Sequence, residues 1–318
     1  MTSQPLSCHR YFANLGVADS TGRSPYRAID LMIFITLCVP IAHADTWLEI
    51  EAFARARRDW LARFCRLPLG DDGQPITPSH DTLERLFKRL DPHAFGRCFG
   101  RWTAALAEGL GLKQVAIDGK TLRGSAQPAK GIRPLHVVSA WATANHLSLA
   151  QVAVEQKSNE ITAIPELLRL LDLKGALVSS DAMGCQKAIA GQIRDLKLWP
   201  GLATVGLGVY EREINGVLST EYHYFISSRK GQAEDFAQAL RGHWGVENNC
   251  HWQLDIALGE DDNQVANRNS AQNLSVVRRL ALSLIKQTPA KSSIKTKRYK
   301  ASVDSSFLEK VLLAGQTG

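Results

Sequence analysis

The chain has 318 residues, 45% hydrophobic and 22% charged, which suits one large or two modest globular domains and excludes a disordered tail, a collagen-like repeat or a small disulfide scaffold. Its 38 lysines and arginines against 31 acids leave a formal charge of +7, enough for non-specific attraction to a polyanion and no more. Six cysteines stand singly (Cys8, Cys38, Cys65, Cys98, Cys185, Cys250), with no C-x-x-C pair, and read as reduced intracellular thiols rather than a zinc ribbon.

The first ninety-odd residues read as helical. Tyr26 to Val39 forms an apolar helix, and the run Leu31 to Ala42, broken by Pro40, is too short to cross a membrane and belongs to a core. No signal peptide precedes it, so a cytoplasmic protein is expected. Asp45 caps a second helix, Thr46 to Phe64, with Trp47, Ile50, Phe53, Ala54 and Leu61 on one face and Arg55, Arg57, Arg58 and Arg63 on the other. A turn-rich loop, Pro68 to Pro78, leads to a third helix, Thr82 to Leu90, capped by Ser79 or Asp81, and Pro92 opens a fourth to about Leu110. The arginine face suits DNA contact, although a solvated face is the commoner meaning of such a run.

After Gly111 the period becomes alternating. Gln114 to Asp118 is a strand ending in an acid; His136 to Thr143 and Leu147 to Glu155 form a hairpin. A helix, Thr162 to Leu171, precedes a buried strand, Ala176 to Ser180, ending in Asp181, and a helix from Ala182 to Leu196 follows. Ala203 to Ile214 and Val217 to Ser227 flank Asn215-Gly216, a strong hairpin signal. A helical region from Ala233 carries His243, Trp244, Glu247, His251 and Trp252 and continues through Asn273 to Ile285. Lys286 to Lys300 holds six basic residues and no acid, and reads either as a mobile basic arm or as a solubilising tail.

This element order is that of an α/β fold: a ribonuclease-H-like mixed sheet with flanking helices, preceded by a small all-helical domain. Two strands end in Asp118 and Asp181, and such acids are costly unless paired or bound to a cation. The third acid, Glu247, lies in a stripe with His243, His251 and Asp255, four residues apart and so near one helix face. A zinc site made by the stripe alone, or a plain solvent face, are the alternatives. Three carboxylates from separate elements suit two-metal phosphoryl transfer with Mg²⁺ or Mn²⁺. Lys120 and Arg123 beside the first Asp would hold the phosphates of the cut strand.

The strings Ala-Ile-Asp-Gly-Lys-Thr-Leu-Arg-Gly-Ser (116–125), Ser-Asp-Ala-Met-Gly-Cys-Gln (180–186) and His-Trp-Gly-Val-Glu-Asn (243–248) closely resemble bacterial insertion-sequence DDE transposases of the H-repeat-associated subgroup. Lys157-Ser-Asn-Glu-Ile, Pro200-Gly-Leu, Tyr224-Phe-Ile-Ser-Ser, Leu254-Asp-Ile and Glu260-Asp-Asp match in the same order, and Ser79-His-Asp-Thr is similar to the family's N-terminal associated domain. The resemblance spans roughly Tyr26 to Gln287. It implies Asp118, Asp181 and Glu247 as catalytic, metal-binding triad with two ions. It also implies insertion-element terminal repeats and target DNA as partners, and a homo-oligomer in the DNA complex. Arg241, His243, Trp244, Lys291, Lys295, Lys297 and Arg298 join Lys120 and Arg123 as expected DNA contacts. Domains are expected at 9–96 (helical), 112–287 (catalytic) and 288–318 (basic tail). The chain departs from the family in a short interval between Asp181 and Glu247, read as an internal deletion, and in Asn263-Gln-Val-Ala where relatives are Arg-rich. Two functions therefore stand side by side: a DNA transposase that cuts and joins element ends, and a catalytically defective relic that only binds DNA. The deletion poses a further choice. Thr204 to Tyr210 either fills the slot beside Ala176 to Ser180 or, as its two glycines favour, pairs only with Val217 to Ser227.

Overall fold

The computed structural model describes residues 11–12, 15, 29–108, 113–154, 160–171, 173, 176–180, 203–227 and 230–314. Helical segments come first: α1 (Ile29–Ile41), α2 (Trp47–Ala56), the single turn α3 (Arg58–Leu61), α4 (His80–Arg89) and α5 (Pro92–Glu108). α1 is apolar all round and is buried accordingly. Thr46, not Asp45, caps α2: its hydroxyl accepts from the Glu49 amide at 3.3 Å while the Glu49 carboxylate accepts from the Thr46 amide at 2.8 Å. The expected single helix to Phe64 breaks at Arg57. Ser79 caps α4.

β1 (Gln114–Leu122), β2 (Leu135–Ala142) and β3 (Leu147–Val154) form an antiparallel meander. After α6 (Glu160–Arg169), β4 (Leu177–Ser180) lies parallel to β1, giving the order β3-β2-β1-β4. β1 runs four residues past its expected end, because pairing with β2 continues to Leu122 opposite Leu135; Asp118 is therefore a mid-strand residue opposite Ser139. Side chains alternate across the sheet. Val115 and Ile117 pack with Ala163 and Leu167 of α6, while Ala116 and its neighbour Trp141 join the core made with the N- and C-terminal helices.

The second half of that core is α7 (Ala233–Val246), a π-turn (Glu247–His251), α8 (Trp252–Ile256), α9 (Arg268–Gln287), α10 (Ile294–Val303) and α11 (Ser305–Leu313). α9 has 20 residues, so it is about 30 Å long, and it is buried almost throughout. It touches α1, α4, α5, β2, β3, α10 and α11. The N-terminal helices and the sheet thus share this helix from near the C-terminus, and α5 adds a direct contact with β3, where the Thr103 hydroxyl donates to the Leu149 carbonyl at 2.8 Å. No helix among the described residues is long and apolar enough to cross a membrane.

Two expectations about basic segments are corrected here. The stretch expected as a mobile arm is folded. Lys297 is buried and donates to the Ile285 and Thr288 carbonyls at 2.9 and 2.8 Å, neutralising the C-terminal end of α9. Arg298 is buried against the carbonyls of Pro40 and Ala257 and the Asp45 carboxylate, the last at 3.0 Å. A charge run shows net charge, and burial is decided by partners far along the chain. The arginine face of α2 and α3 is likewise half occupied. Arg57 donates to Ser305 and to the Ser302 carbonyl, and Arg63 pairs with Glu309 at 2.9 Å, so both hold α11.

β5 (Thr204–Ile214) and β6 (Val217–Ser227) form a separate two-stranded sheet, and β5 pairs with no other described strand. Asn215 and Gly216, at φ 51° and 77°, supply the two positive-φ positions that the tight hairpin demands. Gly206 lies directly under the Phe225 ring, so any side chain there would displace the ring. Val205, Leu207, Val209, Leu218 and Tyr222 are exposed on one face of this ribbon. The expected helix from Ala182 to Leu196 lies outside the described residues.

Removing everything from Thr288 onward should bare the buried faces of α1 and α9 and leave a protein that no longer unfolds cooperatively, read by a thermal circular-dichroism melt. A truncated chain that melts like the intact one would contradict the packing described for α10 and α11.

Candidate metal centre

Gln114, Ala116, Asp118 and Lys120 alternate onto one face of β1, where the α7–α8 segment crosses it. The helical stripe is matched to that face by arithmetic. Two strand residues advance about 6.6 Å and four helical residues about 6 Å, so every second strand residue meets every fourth helical one. At one end the Gln114 amide donates to the Ala239 carbonyl at 2.7 Å and to Ser179 of β4 at 3.1 Å. Gly242 permits this approach, since a Cβ there would stand 2.2 Å from the Gln114 Oε1. His243 Nδ1 meets the Ser179 hydroxyl at 3.1 Å. At the other end Asp255 reaches Lys120. The wider π-turn between them takes up part of the drift that a plain α-helix would accumulate, and π-turns recur at functional sites.

In the middle, Asp118, Glu247 and His251 converge, each with one ligand atom within 4.8 Å of the others'. His251 Nδ1 lies 3.3 Å from Asp118 Oδ2 and 3.6 Å from Glu247 Oε2. The Asp118 side chain is 11% exposed and that of Glu247 53% exposed, so the group opens toward solvent from the Glu247 side. The His251 imidazole holds the Glu247 carboxyl below the usual carboxylate range, against the opposing effect of partial burial. Two hard oxygens and a nitrogen at these spacings fit a divalent cation. The sequence offers Asp118, Asp181 and Glu247 as the ligands and the imidazoles only in the alternative site made by the stripe alone; in the structure His251 lies against both Asp118 and Glu247. Asp181 lies outside the described residues.

Beneath this group sits a second polar cluster. The Lys120 ammonium is 2.6 Å from Asp255, 3.3 Å from Asp261 and 3.7 Å from Glu260. Burial raises the Asp255 carboxyl above its ordinary value despite that ammonium. Burial pushes Glu260 the same way, but Arg279 of α9, at 3.0 Å, and Lys120 more than offset it and hold its carboxyl low. Gly124 closes the cluster: a Cβ there would be 2.5 Å from the carbonyl oxygens of both Asp261 and Asn263. In the sequence, Asp255 stands out only as the last member of the helical stripe and in the Leu254-Asp-Ile string, and Glu260 and Asp261 only through the Glu260-Asp-Asp string.

The expected DNA contacts divide by exposure. Lys120, His243, Lys297 and Arg298 are buried with intrachain partners, which takes them off the surface that a duplex can touch. Arg123, Arg241, Trp244, Lys291 and Lys295 are exposed. Trp252, 55% exposed just beyond the π-turn, is an aromatic neighbour of the site that the sequence reading did not single out for contact.

Lys120→Met should strand three carboxylates around an apolar chain and lower unfolding free energy by roughly 3 kcal/mol, read as a shift in the urea midpoint. A change under about 0.5 kcal/mol, the scale of an exposed pair, would return Lys120 to the role of a surface cation.

Residues 110–284 match the family described as Transposase DDE domain, and residues 16–103 match the one described as DDE_Tnp_1-associated. YncI of Escherichia coli O157:H7, named as a transposase, is 32% identical over 92% of this chain and 90% of its own. The H repeat-associated YhhI of Escherichia coli (strain K12), also so named, is 30% identical over 92% of this chain and 94% of its own. These alignments extend over 359 and 361 positions, more than the 318 residues of this chain, so the relatives carry internal residues that it lacks. A piggyBac transposase synaptic complex with hairpin DNA aligns at a TM-score of 0.39 and 11% identity, over 96% of this chain and 77% of that one, too faint a likeness to argue from. By family match and by relatives aligned along nearly its whole length, the chain belongs to the DDE transposases, in the H-repeat-associated subgroup.

Proposed function

We propose that the chain binds the ends of an insertion element and there cleaves and joins DNA with two divalent ions, Mg²⁺ or Mn²⁺. The observation that carries this reading is the meeting of Asp118, from mid-strand, with Glu247, from a helix far along the chain, at ligand-forming distance. The sheet order, a three-stranded meander with a fourth strand parallel to the first, supports a ribonuclease-H-like catalytic domain. Asp118 and Glu247, with Asp181 from the sequence motif, would hold the ions. Divalent ions held by these residues would supply activation of a water or a 3′-hydroxyl and stabilisation of the leaving oxygen in an in-line displacement.

The chain's own groups do the rest. Arg123 and Arg241, both exposed, would pair with backbone phosphates and set the register of the strand. Trp244, exposed three residues before Glu247, would offer a base an aromatic face. Lys120 positions β1 from beneath and keeps the Asp118 backbone fixed relative to the π-turn. DNA and a second copy of the chain in its complex are the partners this reading requires, with a cytoplasmic location.

A second reading has its own support. β4 is the last strand of its sheet among the described residues, the β5–β6 ribbon stands apart, and the relatives carry internal residues absent here. An open edge of this kind is a liability, and on this reading the protein is a relic that binds element ends without cutting them.

Purified full-length protein incubated with labelled element-end DNA and Mg²⁺ or Mn²⁺ separates the two on a denaturing gel. The first reading expects nicked and joined strands, with Asp118→Asn and Glu247→Gln each reducing product by at least about a thousandfold while DNA binding persists. Binding without any cut strand selects the relic, and cutting that survives both substitutions overturns the site.

A further inference from the structure

We infer that His251 is itself a metal ligand, so that the site is a mixed carboxylate–imidazole centre which takes a transition-series divalent ion, Mn²⁺ among them, in preference to Mg²⁺. The inference rests on the reading of Asp118 and Glu247 as metal-binding, and extends it to a residue outside the DDE triad.

Three observations point the same way. The imidazole is 6% exposed, yet it lies against two carboxylates rather than in an apolar pocket or on a backbone cap. Its Nδ1 stands 3.3 Å from Asp118 Oδ2 and 3.6 Å from Glu247 Oε2, and adjacent ligands of an octahedral ion with bonds near 2.1 Å are about 3 Å apart. Its Nε2 is buried with no hydrogen-bond partner among the described residues, which leaves the two carboxylates facing Nδ1 as the polar groups against the ring. His243, one helical step earlier, provides the contrast, because its Nδ1 is already engaged by Ser179 at 3.1 Å.

The donor set then decides the ion. Mg²⁺ prefers oxygen ligands and gives up water reluctantly, whereas an imidazole nitrogen favours first-row transition ions. Replacing one oxygen position by nitrogen therefore tilts the site away from Mg²⁺. Glu247 and His251, at the two ends of the π-turn, bear on one strand residue together.

Mn²⁺ is the probe for the test, because its electron-spin-echo envelope shows directly bonded nitrogen without any assay of activity. Full-length protein loaded with Mn²⁺ should show one histidine ¹⁴N coupling, which changes to the ¹⁵N pattern when the protein is labelled with [¹⁵N]histidine. The coupling should vanish in His251→Gln and in Asp118→Asn and persist in His93→Gln, an exposed histidine of α5 outside the Asp118–Glu247–His251 group. Mn²⁺ affinity should fall about tenfold or more in His251→Gln. The isotope experiment needs no substitution, so a variant that folds poorly does not blunt it. Mn²⁺ bound without nitrogen coupling, or coupling that survives His251→Gln, overturns the inference and leaves the carboxylate reading intact. Failure of the wild-type chain to bind Mn²⁺ overturns both.

Discussion

A lysine ammonium taken out of water must be surrounded by acceptors, and Lys120 is surrounded by three carboxylates. That single requirement ties β1 to residues 255–261, and through the Glu260–Arg279 pair it ties both to α9. Since α9 also packs on α1, α4, α10 and α11, the ion cluster lies where the N-terminal helices, the sheet and the C-terminal helices meet. The candidate metal group is built directly on top of it, two strand residues and one helical turn away. A site that must collect acids from distant parts of the chain is placed where those parts are already locked together.

The geometry of that lock is a match of repeats. A strand face and a helix face can run side by side in step because two residues of one and four of the other cover nearly the same length. Gln114, Asp118 and Lys120 therefore each find a partner from the helix in order: the Ala239 carbonyl, His251 with Glu247, and Asp255. Buried histidines and acids in a helix are costly in isolation, and here the strand face supplies what each one needs.

Much of this was legible in the sequence. Alternation located every strand but β1 within a residue or two, Asn-Gly located the hairpin, and the strand acid and helix acid were singled out from residue type and spacing. What was not legible has one physical cause: sequence shows charge, while burial depends on partners far away. Arg298 and Lys297 looked like part of a free basic arm, yet their acceptors are carbonyls at residues 40, 257, 285 and 288. Asp45 looked like a helix cap and is instead the partner of Arg298. Lys120 looked like a phosphate contact because its carboxylates lie beyond residue 250. Strand β1 was cut short at Asp118 because an acid inside a strand reads as an end, and its continuation depends on pairing with Leu135 to Ser139. His251 was set aside for a related reason: a stripe of alternating imidazoles and acids does not say which members face the strand.

The central claim is that a strand and a π-turn bring Asp118, Glu247 and His251 to one cation. Anomalous diffraction from crystals of the full chain soaked in Mn²⁺ tests it most directly. The account predicts a peak bounded by Asp118, Glu247 and His251; a peak elsewhere on the protein, with His251 turned away from Asp118, would contradict it.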